Sequence, residues 1–310
     1  MDLSPLQSQL ITLKAQKNAV ILAHYYQRPE IQQIADYVGD SLELSRKASE
    51  SNAEILVFCG VHFMAETAKI LNPSCKVLIP DLEAGCSLAD SCPLTEFIRW
   101  KRKYPEHVLV SYINCSAEIK ALSDYICTSS NALKIINSIP SDKKIIFAPD
   151  RNLGEYLIKE TGREMVLWEG ACVVHEAFSV QKLIELVRSY PLAKILAHPE
   201  SKSEILKIAH FIGSTTALIN YVVESPADTF LIGTEVGILH QIKELSPDKY
   251  LIPIPTEEDN TCACSECAFM KVNTIQKVMD CLQSESNEII LDPMIQCLAL
   301  IPIQKMLQLS

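Results

Sequence analysis

The stretch that decides the fold is VILAHYY at residues 20–26, an apolar run that ends in a cluster of polar rings. The pattern returns as VLVSYIN at residues 108–114 and as KILAHPE at residues 194–200. The apolar parts are too short for helices and are typical of buried parallel strands. Three such strands at nearly equal intervals indicate an internal repeat.

Each repeat continues with the same succession of elements. A helical stretch leads to a second strand with a small-residue turn, then to an amphipathic stretch and to a third strand that ends near an acidic residue. Alternating strands and helices of this kind predict right-handed βαβ units and a parallel sheet covered on both faces. The predicted second strands are 55–60, 125–129 and 211–215, the amphipathic stretches are 64–71, 131–136 and 216–222, and the third strands are 77–81, 145–150 and 230–235.

Every unit also runs into a cysteine, at Cys86, Cys172 and Cys267. Three copies of one unit, each delivering a thiol at its junction, are expected to converge around a common axis. No linker separates the copies, so we expect one compact body. The expected α/β units are residues 1–85, 86–171 and 172–269, with the C-terminal segment 270–310 packing on the first.

Composition excludes several classes of function. The chain has 310 residues, 48% of them apolar, and a net charge of −10. An acidic chain without a basic block is a poor partner for nucleic acid or for an anionic membrane, and neither is expected. The N-terminus lacks a basic region followed by an apolar one, and the apolar stretch 289–303 is interrupted by Asp292, Pro293 and Pro302. We therefore expect a soluble cytoplasmic protein.

Twelve cysteines are unusually many for such a chain. In a cytoplasmic enzyme this number indicates metal or redox chemistry rather than a disulfide framework. Seven of the twelve are expected to be ordinary buried side chains without a chemical role, because a free cysteine behaves as a small apolar residue. These are Cys59, Cys75, Cys92, Cys115, Cys127, Cys281 and Cys297.

Two kinds of polar segment are candidates for a binding site. Ligands of parallel sheets bind beyond the carboxyl ends of the strands, where this sequence places His24, Tyr26, Tyr112, Asn114, His198 and Glu200. Small polar turns at residues 39–41, 128–131 and 213–216 precede helical stretches. Such turns cap helices, and their free N–H groups also attract a phosphate or a carboxylate. Two or three of them around one centre would form a pocket for a polyanion.

The cysteine segments carry the most distinctive signal. Cys86 follows an acidic turn, His175 lies one helical turn beyond Cys172, and the segment 262–267 contains three thiols. Soft thiolate ligands select zinc or iron–sulfur clusters. A zinc site prefers two closely spaced pairs of ligands, and the single dense group here disfavours it. Three remote cysteines instead suit a [4Fe–4S] cluster in which one iron lacks a protein thiolate.

Taken together and in order, these motifs resemble the quinolinate synthase family. The resemblance runs from about residue 20 to about residue 273, nearly the whole chain. Each motif alone is weak, whereas eight in order at sensible spacing are highly specific. They are His-Tyr-Tyr at 24–26, Gly-Asp-Ser at 39–41, Pro-Asp-x-x-Ala-Gly-Cys-Ser at 80–87, Tyr-x-Asn at 112–114, Trp-Glu-Gly-x-Cys-x-x-His at 168–175, His-Pro-Glu at 198–200, Gly-Ser-Thr at 213–215 and Cys-x-Cys-x-x-Cys at 262–267.

The resemblance implies a fold, a reaction and a set of site residues. The fold is three similar α/β/α domains with parallel sheets in a pseudo-threefold triangle. The reaction condenses iminoaspartate with dihydroxyacetone phosphate to quinolinate, phosphate and water in NAD biosynthesis, which also implies a link to an enzyme that produces iminoaspartate. The implied ligands of the [4Fe–4S] cluster are Cys86, Cys172 and Cys267. The implied residues around the substrates are His24, Tyr26, Ser41, Tyr112, Asn114, Ser129, His175, His198, Glu200, Ser214 and Thr215.

The chemistry of that reaction suggests roles for these side chains. Glu200 is expected to be the general base, since protons must leave carbon and nitrogen. Tyr26, Tyr112 and His198 are expected to relay protons or to hold developing hydroxyl groups. The remaining polar residues around the substrates are expected to bind the carboxylates and the phosphate.

Three alternatives stay open at this stage. The chain could be another hydro-lyase with an open iron in its cluster. It could instead be an iron–sulfur electron carrier or redox sensor, with Cys262 or Cys264 as a fourth ligand. A disulfide between Cys264 and Cys267 would expel the cluster and act as an oxidation switch.

Overall fold

The computed structural model describes residues 3–257 and 265–310, and these residues form an α/β protein with three parallel sheets of four strands each. The first sheet and its helices are built by the elements up to the short helix that follows Cys86, the first predicted cysteine ligand. They are α1 Pro5–Gln16, β1 Ala19–His24, α2 Pro29–Gln32, β2 Tyr37–Gly39, α3 Ser41–Glu50, β3 Ile55–Cys59, α4 His62–Leu71, β4 Lys76–Leu78 and α5 Ser87–Asp90.

The second and third sheets are built in the same way. The second unit contains α6 Leu94–Lys101, β5 Val108–Tyr112, α7 Ala117–Ala121, β6 Tyr125–Cys127, α8 Ala132–Ser138, β7 Ile145–Ala148, α9 Arg151–Thr161, β8 Met165–Leu167 and α10 Val173–Glu176. The third contains α11 Val180–Ser189, β9 Lys194–Ala197, α12 Ser203–Ile208, β10 Phe211–Ile212, α13 Thr215–Glu224, β11 Thr229–Gly233, α14 Ile238–Leu245, β12 Tyr250–Pro253 and α15 Ala268–Lys271. The chain ends with α16 Ile275–Ser284 and α17 Pro293–Gln308.

The three sheets share one strand order, which confirms the predicted repeat. The orders are β2-β1-β3-β4, β6-β5-β7-β8 and β10-β9-β11-β12, with every pair parallel. The quoted apolar runs form β1, β5 and β9, each paired on both sides and mostly buried, as their unbroken apolar sequences predict. Three three-layer α/β/α units result, as the resemblance implies.

The prediction of three strands per unit was wrong, because each unit has four. The missed strands are β2, β8 and β12, all at sheet edges. These strands have only three or four residues and are only partly buried, so each is too short to be distinguished from a loop by its sequence. Because β2 is not predicted, the prediction assigns the strands of the first unit incorrectly. Its predicted second strand is β3, which corresponds to β7 and β11 in the other two units. The true counterpart of β6 and β10 is β2, which ends at the turn Gly39-Asp40-Ser41.

The C-terminal segment does not pack on the first unit alone. Helix α16 packs against α1 and β3, and Ile289 N–H donates to Val77 O (2.8 Å) at the edge of the first sheet. Helix α17, however, packs chiefly on α7 and β6 of the second unit and also contacts α4. The segment thus joins two units, and the predicted domain boundaries stay predictions.

None of the helices within residues 3–257 and 265–310 combines the length and the apolar character that crossing a membrane requires.

Candidate functional site

A pocket lies where the carboxyl ends of the three sheets meet. Thirteen of the fourteen predicted site residues line it, and they come from all three units. Side chains that are far apart in sequence therefore meet at one centre, as expected for strand ends in parallel sheets. The thirteen are His24, Tyr26, Ser41, Cys86, Tyr112, Asn114, Ser129, Cys172, His175, His198, Glu200, Thr215 and Cys267.

Ser214 is the exception, since it does not line the pocket. It is the N-cap of α13, and its hydroxyl accepts a hydrogen bond from the N–H of Ala217 (3.3 Å). The hydroxyl therefore serves the helix end, which is the ordinary use of serine at this position. Its neighbour Thr215, the first residue of α13, lines the pocket instead.

The carboxylate of Asp40 joins the polar turns of the three units. It is the N-cap of α3, and its Oδ1 accepts the N–H groups of Leu42 (3.0 Å) and Glu43 (3.1 Å). Its Oδ2 accepts the hydroxyls of Ser130 (2.7 Å) and Thr216 (2.9 Å) from the other two units. The turns therefore converge as predicted, although sequence reasoning did not include Asp40 among the site residues.

Glu200 occupies the centre of the polar network. Tyr112 Oη donates to its Oε1 (2.5 Å), and His175 Nδ1 lies 3.1 Å from its Oε2. His198 Nδ1 lies 3.7 Å from Oε1, and the rings of His175 and His198 stack with centroids 4.7 Å apart. Burial favours the neutral acid, yet the two histidines and the Tyr112 hydroxyl together hold the pKa of Glu200 below its ordinary value. Glu200 is accordingly a carboxylate near neutral pH.

The rings of His24, His198, Tyr26 and Tyr112 are neutral under the same conditions. Burial lowers the pKa of His198 to about 3 and that of His24 to about 4. Burial, reinforced by the Glu200 charge, raises the pKa of Tyr112 well above its ordinary value. Burial likewise raises the pKa of Tyr26, against the opposing effect of two hydroxyl partners. Glu200 is thus ionised and able to accept a proton from a bound substrate, while the contacts that stabilise its charge also weaken it as a base.

Thr234 links the first and third units beneath this network, and sequence reasoning missed it. Its hydroxyl lies 2.7 Å from Tyr26 Oη and 3.0 Å from His175 Nε2, while Tyr26 Oη also lies 3.0 Å from Thr215 Oγ1. Thr234 follows the end of β11 directly, so the rule that located His24 and His198 at strand ends would have found it. The strand-end residues predicted from the sequence all follow the first strand of a unit, whereas Thr234 follows the third.

The three predicted cysteine ligands share one local structure. Each is the N-cap of a four-residue helix, Cys86 for α5, Cys172 for α10 and Cys267 for α15. Burial raises the pKa of Cys86 to about 12 and also raises the pKa of Cys172 and Cys267, whereas backbone N–H groups of the following turn act in the opposite direction. Thiols held in such surroundings ionise when a metal supplies positive charge, and the donor set fits a metal cluster.

The three predicted cysteine ligands differ from the residues that lie closest together. Within residues 3–257 and 265–310, one group of three potential ligands has all its ligand atoms within 4.8 Å of one another, and it consists of Cys172, His175 and Glu200. Cys86, Cys172 and Cys267 do not form such a group, although all three line the pocket. Three thiols from three segments around one pocket are compatible with an iron–sulfur cofactor.

A buried carboxylate holds the backbone of one of these cysteines, since Glu235 Oε1 accepts the N–H of Cys267 (3.2 Å). In the second unit the buried carboxylate of Asp150 accepts the N–H of Leu153 (2.7 Å). The two acids lie at equivalent places, each two residues beyond the central strand β11 or β7, where the first unit has Val61. Their appearance after predicted strands was noticed in the sequence, but their role was not predicted.

Glu235 also forms a buried ion pair. Lys271 Nζ lies 2.9 Å from Glu235 Oε1 and donates to the carbonyl of Tyr26 (2.6 Å) in the first unit. The Glu235 side chain is fully buried and that of Lys271 is 12% exposed. The pair therefore ties the Cys267 segment to two units at once.

Replacing Glu235 by Gln is expected to lower the free energy of unfolding by about 3–5 kcal/mol, because the buried Lys271 loses its only nearby negative charge within the described residues and keeps the carbonyl of Tyr26 as a neutral partner. Adding Lys271→Met removes that charge and should recover most of the loss. Urea unfolding of the single and double variants measures both effects. The matched control is Glu50→Gln in the exposed pair with Lys47 (3.3 Å), expected to cost about 1 kcal/mol or less. Equal losses in the single and double variants would contradict the buried-pair explanation.

The other cysteines mostly behave as predicted. The ten in the described residues are free, and Cys59, Cys75, Cys92, Cys115, Cys127 and Cys281 are buried. Cys297 was expected to be buried and is instead exposed on α17. Helix α17 buries residues such as Ala299 and Ile303 against the rest of the protein, and Cys297 lies on the opposite face of the helix. Cys262 and Cys264 lie outside the described residues.

Comparison with known proteins agrees with this geometry. Residues 8–308 match the family described as Quinolinate synthetase A protein. The quinolinate synthase of Gloeothece citriformis is 58% identical over 298 residues, which cover 96% of this chain and 92% of the relative. That of Synechocystis sp. is 58% identical over 299 residues (96% and 93%), and that of Synechococcus sp. is 56% identical over 305 residues (98% and 95%). The matches extend through all three units, and the chain belongs to the quinolinate synthetase A family of enzymes.

Proposed function

We propose that this chain condenses iminoaspartate with dihydroxyacetone phosphate to form quinolinate, with release of one phosphate and two waters. The proposal rests on the family membership and on one observation of the site, the Glu200 carboxylate held among neutral rings in a pocket shared by three units. Iminoaspartate must be supplied by an enzyme that oxidises or dehydrogenates an amino acid. The cytoplasmic location expected from the sequence belongs to the same proposal.

Cys86, Cys172 and Cys267 would hold a [4Fe–4S] cluster in this function. When bound through three protein thiolates, such a cluster supplies one iron with an open position, which acts as a Lewis acid toward a hydroxyl or carboxylate. The three thiols lie on the pocket wall together with Glu200, so the cofactor and the base would share one substrate cavity. A pocket lined with acid–base groups favours an enzyme over an electron carrier.

Glu200 would accept the protons that leave carbon and nitrogen during the condensation. Tyr112 donates its hydroxyl hydrogen to Glu200 and stays protonated, so it orients the base and can return a proton. His198, neutral and stacked on His175, would hold a substrate hydroxyl or carbonyl oxygen. Tyr26 would assist from the opposite side, fixed by its contacts with Thr215 and Thr234.

Substrate anions would bind to hydroxyl groups of the pocket wall. Ser41 and Thr215 are the first residues of α3 and α13, and their hydroxyls would act as donors because Asp40 already accepts the N–H groups of Leu42 and Glu43 at the start of α3. Ser129 lines the same pocket from the second unit. Asn114 Oδ1 is buried and has no hydrogen-bond partner within the described residues, so it is available to accept a bond from a substrate. His24 and His175 would complete the polar wall.

Protein purified without oxygen is expected to be brown and to contain about four irons per chain, because three pocket thiols suit a [4Fe–4S] cluster. Iron and sulfide analysis with absorption spectroscopy measures this. Exposure to air is expected to bleach the colour, since the open iron is accessible to oxidants. Formation of quinolinate from the two substrates then tests the activity. Protein that takes up no iron even after treatment with a chelator and anaerobic reconstitution with iron and sulfide would refute the cluster, and a loaded protein that makes no quinolinate would refute the reaction.

A further inference from the structure

Three side chains beside the predicted cluster site are arranged as ligands of a single metal ion. His175 Nδ1 lies 3.3 Å from Cys172 Sγ and 3.1 Å from Glu200 Oε2. All three ligand atoms lie within 4.8 Å of one another. Ligand atoms on a tetrahedral ion with bonds of about 2.0–2.3 Å are separated by roughly 3–4 Å, so one ion fits among them with little movement.

The outer contacts of the three side chains also suit a metal. His175 Nε2 lies 3.0 Å from the hydroxyl of Thr234, which can accept a proton from Nε2. A metal ion would therefore take the place of the proton on Nδ1, between Cys172 and Glu200, while Nε2 keeps a partner. Tyr112 engages Glu200 through the other carboxylate oxygen, Oε1, which leaves Oε2 for the ion. Metal-binding histidines and carboxylates are commonly held by such second partners, which fix their orientation and raise affinity.

We propose that the iron-free chain binds one zinc ion through Cys172 Sγ, His175 Nδ1 and Glu200 Oε2. A thiolate and a carboxylate balance the two charges of zinc, and imidazole, thiolate and carboxylate are all ordinary zinc ligands. Three protein ligands leave a fourth position open toward the pocket, which water or a substrate carboxylate can fill. The site differs from the three-cysteine site, of which it shares only Cys172.

Sharing Cys172 makes the two metal centres mutually exclusive. Zinc bound there would withhold one of the three thiolates that the cluster needs, and it would also occupy the proposed base Glu200. A chain that has lost its cluster to oxidation would therefore be held in an inactive zinc form until the ion is removed. Zinc would in this way compete with cluster assembly rather than support catalysis.

Zinc titration of the full-length, iron-free chain under anaerobic conditions tests the proposal. Isothermal titration calorimetry is expected to show one zinc per chain. Cys172→Ser, His175→Gln and Glu200→Gln should each weaken binding by more than about 100-fold, since loss of even an outer partner commonly costs 10- to 100-fold. Thr234→Val, which removes only that outer partner of His175, should weaken binding by about 10- to 100-fold.

The matched controls are Cys86→Ala and Cys267→Ala, which remove the other two pocket thiols and are expected to bind zinc as the unchanged chain does. Circular dichroism confirms that each variant is folded, and cobalt in place of zinc reports thiolate and imidazole ligation by its absorption. Pre-loading with zinc should slow iron uptake during reconstitution, and a chelator should restore it. Zinc binding that survives His175→Gln and Glu200→Gln but fails in Cys86→Ala or Cys267→Ala would overturn the proposal, as would no stoichiometric binding by the unchanged chain.

Discussion

Replacing Glu200 by Gln is expected to lower the rate of quinolinate formation by about 100- to 10,000-fold, the usual cost of losing a positioned general base. The amide keeps the size of the side chain and can still accept the hydrogen bond from Tyr112, but it cannot take up a proton at the pH of the reaction. The loss should appear in kcat, because the residue acts on the reacting atoms more than on substrate binding. Steady-state kinetics of the reconstituted enzyme measures it.

The iron content separates a chemical role of Glu200 from a structural one. Glu200 is not among the predicted cluster ligands, so Glu200→Gln should retain the full complement of iron and its absorption spectrum. The matched control is Glu204→Gln, an exposed carboxylate at the start of the next helix, which is expected to leave the rate unchanged. More than half of normal activity in Glu200→Gln would remove this residue from the mechanism.

Replacing Cys267 by Ala is expected to abolish both iron binding and activity. Cys267 lines the pocket at the N-terminus of α15, and its backbone is held by Glu235, so its thiol is fixed toward the same centre as Cys86 and Cys172. A cluster with only two protein thiolates would lack the anchoring that its retention requires. Iron and sulfide analysis after anaerobic reconstitution, followed by the quinolinate assay, measures the outcome.

The neighbouring thiols provide the comparison for this variant. Cys262→Ala and Cys264→Ala are expected to keep iron and activity under anaerobic conditions, since a fourth protein thiolate would close the open iron. Both residues lie outside the described part of the chain, so this assignment stays a prediction. Loss of iron in Cys264→Ala together with a normal Cys267→Ala would reverse it.

Much of the fold is readable from the sequence because buried strands and repeats leave local signals. The runs at residues 20–26, 108–114 and 194–200 are apolar wherever the sheet is covered on both faces, and they form β1, β5 and β9. Three of the six edge strands, β2, β8 and β12, are not predicted from the sequence. Without β2, the prediction assigns β3 as the second strand of the first unit.

The composition of the site was largely predictable for the same reason. Polar residues directly after buried strands, and cysteines at recurring intervals, are unusual enough to be noticed without a structure. Thirteen of the fourteen predicted residues line the pocket. Ser214 is the residue that does not. Its hydroxyl caps the start of α13, and the sequence alone is compatible with both a capping role and a binding role.

The sequence by itself determined the repeated α/β architecture, the strand-end side chains and the three thiols, all of which follow from local patterns. Only the tertiary structure decided which carboxylates and hydroxyls contact these segments and hold them in place. Asp40 accepts hydrogen bonds from the hydroxyls of Ser130 and Thr216. Glu235 pairs with Lys271 and accepts the N–H of Cys267, and these contacts join residues 32 to 176 positions apart. The approach of Glu200 to the local pair Cys172 and His175 likewise arises from tertiary packing. Such contacts depend on how the units pack against one another, and a single sequence carries no local mark of them.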